Sequence, residues 1–135
     1  MPIWWTAVLV ALGLVAADAN ARCLTYEPAQ VILSGELEMR NVAGPPNYRS
    51  LARGDLPETI YVLVLEKPIC VSGNPSSMQN RKGYASVAEV QLVVKASRAR
   101  PLAGKRVRAT GGLSAGQGNH HRTPVVLTVK GLRGT

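Results

Sequence analysis

Alternation with a period of two dominates the middle and end of this chain. From 29 to 39, Val31, Leu33, Gly35, Leu37 and Met39 share one parity, and Gln30, Ile32, Ser34, Glu36 and Glu38 share the other. That pattern predicts a strand with one apolar and one mostly polar face. Residues 59–65, TIYVLVL, are apolar on both faces and predict a central strand, ended by Glu66-Lys67-Pro68. Residues 87–94, VAEVQLVV, predict a third strand, with Ala88, Val90, Leu92 and Val94 on its apolar face. In 105–113, KRVRATGGL, Val107, Ala109, Gly111 and Leu113 alternate with Arg106, Arg108 and Thr110, and 125–129, VVLTV, is the last strand. Only 95–103, which contains Pro101, has room for a short helical turn.

The connections are long. Residues 40–58 hold Gly44-Pro45-Pro46-Asn47 and Gly54-Asp55, and the two prolines exclude a regular helix or a central strand there. Residues 73–83 are polar, and 114–124 form a Gly-rich loop carrying both histidines, His120 and His121. Five strands with such loops predict an all-β protein, a small five-stranded Greek-key barrel of the oligonucleotide/oligosaccharide-binding type. Glycines in the fourth strand permit the tight coiling that closure needs. A small β-sandwich is the alternative. Phe is absent, so Val, Leu and Ile must fill the core.

The N-terminus changes the picture. Trp4 to Ala17 is an apolar run, followed by Ala19-Asn20-Ala21 with small residues where a signal peptidase reads. The run is shorter than the ~20 residues of a spanning helix. No Lys or Arg precedes it, which departs from the usual signal pattern. The expectation is a signal peptide over 1–21, a β domain over 22–135 with no transmembrane segment, and a periplasmic or secreted location. Cys23 and Cys70 are the only cysteines, and in an oxidising compartment an even pair predicts a disulfide. A lipid anchor on Cys23 is disfavoured, because Arg22 stands where a lipobox needs a small residue.

Removing 1–21 takes away Asp18 and no cation, so the formal charge rises from +8 to +9. Eleven of the sixteen cations are Arg. A field of this sign favours anionic partners. Nucleic acid is not expected in an envelope compartment, whereas contact with the envelope surface is open.

A set of short marks carries a family resemblance: Tyr26-Glu27-Pro28 with VILSGEL, GPPNY at 44–48, Gly54-Asp55, PICVSG at 68–73, VQLV at 90–93, and GKRVRATGGL at 104–113. With the histidine-Thr-Pro segment before VVLTV, these resemble an uncharacterised exported bacterial family, domain-of-unknown-function family 4431. The resemblance spans residues 23–132. It implies a fold and a location, and brings no activity. That family carries a histidine triplet before Thr-Pro, whereas here the segment reads Asn119-His120-His121-Arg122-Thr123-Pro124.

Candidate chemistry is sparse. No serine elbow, HExxH or phosphate loop is present, so an enzyme is not expected and no cofactor is implied. His120 and His121 are weak metal candidates. With the cysteines in a disulfide, further ligands must come from Asp55 or Glu58. The stronger expectation is that Tyr48, Arg49 and Asp55 of one loop meet His120, His121 and Arg122 of the other as a ligand-binding surface. Arg49 and Arg122 would offer planar forks to carboxylate or phosphate. The expected function is a non-enzymatic exported binding module for an anionic small molecule or a protein. The alternatives are an immunity-like inhibitor of an exported enzyme and a metal-binding envelope protein.

Overall fold

The alternating segments form the strands they predict, in the order β1 (Leu24–Thr25), β2 (Val31–Ala43), β3 (Pro57–Ser72), β4 (Tyr84–Val93), α1 (Ala96–Ala99), β5 (Arg106–Ala115) and β6 (Val125–Gly134). The computed structural model describes residues 22–135, so the expected signal segment lies outside the described residues. β2 pairs antiparallel with β3 and β5, β3 with β4, and β5 with β6, while β4 and β6 run parallel. The cycle β2-β3-β4-β6-β5 closes on itself, which gives a five-stranded mixed barrel of the expected type and excludes the sandwich. β1 is an extra strand, parallel to the end of β3 with Leu24 opposite Val71. The Cys23–Cys70 disulfide pins it there.

The inward parity is the apolar one. Leu37, Leu63, Leu113, Leu127, Val90 and Val107 are almost wholly buried together, and Ala99 of α1 plugs the core. Two glycines allow strands to cross closely. A Cβ on Gly35 would run into the Val64 carbonyl, and one on Gly111 into that of Thr128.

Three features differ from the sequence pattern. β3 is not ended at Glu66-Lys67-Pro68 but continues to Ser72. Its pairing jumps there from Val64↔Glu89 to Ile69↔Val87, so the three residues bulge outward, where the missing N–H of Pro68 costs no ladder bond. The bulge also resets β4: Val87 is buried and Ala88 exposed, the reverse of the expected parity, while Val90 and Leu92 face inward. Met39, expected on the core face, is 50% exposed. The reason is the length of β2. Its ladder to β5 ends at Glu36↔Arg106, whereas its ladder to β3 continues to Ala43↔Pro57. Residues 38–43 therefore leave the closed barrel as one arm of a hairpin, and that arm carries the first long loop. Among the described residues, no helix is long and apolar enough to cross a membrane.

Candidate functional site

The hairpin arm delivers the loop 44–56, which is organised around Asp55. This carboxylate is buried and accepts the backbone N–H groups of Asn47 at 3.0 Å, Arg49 at 2.9 Å and Ser50 at 2.9 Å. The N–H bonds from Ser50 and Arg49 hold its pKa below the ordinary carboxylate value. The Gly44 N–H meets the Leu56 carbonyl at 2.7 Å and closes the loop base. Tyr48 sits at φ 54°, a left-handed conformation that bulky residues rarely adopt. Arg49 and Arg53 are exposed, and with Asn47, Ser50 and Asp55 they line an open groove of about 560 Å³.

The second loop, 116–124, is held from below by Gln91. This side chain faces away from the core yet is buried. Its amide nitrogen donates to the His120 carbonyl at 2.8 Å, and its oxygen accepts the Arg122 N–H at 2.6 Å. The Gln91 backbone N–H donates to Thr123 Oγ1 at 2.9 Å. His121 turns back into its own loop, where Nδ1 accepts the Gln117 N–H at 2.9 Å.

The two loops meet at Glu58, at the start of β3. Glu58 Oε1 lies 2.6 Å from His120 Nδ1, and Oε2 accepts Arg122 Nη2 at 3.1 Å. The same Arg122 nitrogen donates to the Ala43 carbonyl at 2.5 Å. Tyr48 closes the group from the other loop. Its ring meets His120 edge-to-face at 5.5 Å, and the Arg122 guanidinium stands 5.6 Å from its centroid. The hydrogen bond from His120, and after it that from Arg122, keep the Glu58 carboxyl below its usual pKa against the opposing effect of burial. Beside this clasp a groove of about 290 Å³ runs over Glu58, Thr59, Tyr61, Gln91, His120 and His121. Two buried polar atoms here, Tyr61 Oη and Arg122 Nε, have no protein partner.

The six expected residues therefore divide. Tyr48, His120 and Arg122 come together across the two loops, while His121 borders the groove beside them. Arg49 opens onto the separate groove of its own loop, and both oxygens of Asp55 are occupied inside that loop. Arg122, expected as an open fork, spends Nη2 on Ala43 and Glu58. Among the described residues, no three His, Cys, Asp or Glu side chains converge on a point that could hold a metal ion. From the sequence, Glu58 reads only as a spare metal ligand and Gln91 has no role. A lone glutamine inside VQLV was the available signal for the second, whereas nothing in the pattern singled out the first.

Neither the curated proteins nor the solved structures contain a match to this chain. Residues 89–132, from β4 through α1 and β5 into β6, match the family described as Domain of unknown function (DUF4431), the same family that the short sequence marks resemble.

Proposed function

We propose that this chain is a non-enzymatic binding module that recognises an anionic ligand with the loop pair 44–56 and 116–124. The observation that carries the reading is the clasp: Glu58, His120, Arg122 and Tyr48 lock two loops of distant sequence into one surface. Preorganisation of this kind lowers the entropic cost of binding. Within that surface, Arg49 and Arg53 are exposed cations beside Asn47 and Ser50, a donor set suited to carboxylate or phosphate. Asp55 shapes this groove without opposing an anion strongly, since three backbone N–H groups already solvate its charge. In the barrel type to which this fold corresponds, the loops between strands one and two and between four and five flank the ligand. The two loops here occupy those positions. The apolar run before Arg22 and the Cys23–Cys70 disulfide support export to an oxidising compartment.

Calorimetric titration with pyrophosphate and with citrate tests the reading. Saturable binding by the wild type, lost in Arg49→Ala/Arg53→Ala at an unchanged melting temperature, supports it. Equal binding by both proteins refutes it.

One observation favours a protein as the partner. Leu51 and Leu56, on the same loop, are 46% and 62% exposed. An immunity-like inhibitor would bury both, so Leu56→Asp would abolish its complex while leaving small-anion titrations unchanged.

A further inference from the structure

Charge is distributed very unevenly along the chain. Every Asp and Glu lies at or before Glu89, whereas 90–135 carries nine Lys and Arg and no acid. Of those nine, Arg106 pairs with Glu66 and Arg122 with Glu58. The others form no ion pair among the described residues, and five of them lie on β5 and β6 and at α1: Lys95, Arg98, Arg108, Lys130 and Arg133, all exposed. The fold brings them together. Arg108 and Arg133 stand directly opposite each other on neighbouring strands. Lys130 falls in the irregularity between Gly131 and Val129, and Arg98 reaches across to the Lys130 carbonyl at 3.3 Å.

Like charges directly opposite in an antiparallel pair are unfavourable in the free protein, and an anionic partner reverses that cost. β4 pairs with β6 only over Gln91↔Val126 to Val93↔Thr128. Beyond that point the strands diverge, and a groove of about 440 Å³ opens between them. Val93, Val94 and Val129 line it, with Lys95 and Arg98 alongside. Val93 is 39% exposed. Aliphatic surface set among cations is the make-up of proteins that rest on lipid headgroups. Nucleic acid is less well served, because 90–135 contains no Phe, Tyr or Trp on which a base could stack, and its two histidines lie in the 116–124 loop.

We propose that the face formed by β6, the start of β5 and α1 docks on an anionic lipid surface. The contact is peripheral, through headgroup phosphates and a few aliphatic side chains. It adjoins the groove beside the clasp at Val93 and Val94 but uses different charged residues, and it does not depend on that reading.

Co-sedimentation of the purified protein with vesicles tests it. Vesicles of phosphatidylcholine alone should bind little, and those containing phosphatidylglycerol should bind at low salt and release at high salt. Arg108→Gln/Arg133→Gln should lower partitioning roughly 30-fold, about 1 kcal/mol for each cation withdrawn. Arg81→Gln/Lys82→Gln removes the same charge from the 73–83 loop and should change it little. Equal losses in the two variants would reduce the effect to net charge and overturn the proposal. So would tighter binding of a single-stranded oligonucleotide than of the anionic vesicles, or an absence of vesicle binding by a wild type shown by circular dichroism to be folded.

Discussion

The two-loop clasp and the β6–α1 face both carry arginine and use it in opposite ways. At the clasp, Arg122 and His120 converge on Glu58, and Gln91 satisfies the backbone beneath. At the other face, Arg108 is set opposite Arg133, and neither forms an ion pair among the described residues. The outer face of β3 shows a third, intermediate arrangement, in which Arg40 reaches over the strand from Glu38 to Glu89. Charge that is internally paired holds structure. Charge left without a partner costs a little stability and is available to something else. The high net charge is thus concentrated in one region, and the +8 total conceals two separate behaviours.

The largest expected contrast comes from removing what lies under the clasp. Gln91→Ala leaves the His120 carbonyl and the Arg122 N–H without partners in a partly buried position. It should cost about 2–4 kcal/mol, the lower part of the range that roughly 1–3 kcal/mol per orphaned group allows for two groups, because both are only partly buried. Urea unfolding would measure it, and a loss below about 0.5 kcal/mol would show that the second loop holds itself. Arg122→Ala comes next. It removes the bonds to Ala43 and Glu58 from a side chain that is 22% exposed, and should cost about 1–3 kcal/mol. Its effect should not add to that of Glu58→Gln, because the two share one network. If the two losses sum, the clasp is not a unit.

Acid should separate the regions further. Glu58 and Asp55 both have folded-state pKa values below their unfolded ones. Their contribution is complete above the unfolded carboxylate pKa, about 4, and disappears as pH falls through the lower folded values. Glu58→Gln should flatten the acid limb of stability against pH, and an unchanged slope would deny Glu58 its role. The smallest effect belongs to the other face. Arg108→Gln relieves the repulsion from Arg133 and should leave stability unchanged or raised by a few tenths of a kcal/mol. A clear loss there would mean that these cations also hold structure.

Much of this was legible in the residues. The period of two located all five barrel strands, because a side chain must face either core or solvent. The short helical segment 96–102 fell where Pro101 and the lack of alternation left room for it. The errors sit where strands depart from regular pairing. A bulge of three residues reads as a break when the sequence is followed along one strand, since only the partner shows that the ladder resumes. Met39 keeps its parity and loses its burial because β5 stops beside Glu36, which no local pattern records. The candidate loops hold residues hard to place in a core, and each connects two consecutive strands of the barrel. Which loop residues touch, and that Glu58 joins them, depends on the curl of the β2–β3 hairpin and is fixed only in three dimensions.

The central claim is that loops 44–56 and 116–124 act as one recognition surface. It is tested most directly by following backbone amide resonances during a titration with inorganic phosphate. Saturable shifts are expected in both loops with one common affinity, centred on Arg49 and Arg53 and transmitted to His120 and Arg122. Glu58→Gln should uncouple the second loop from the first. Saturable shifts confined to one loop, or found only along β6 and α1, would contradict it.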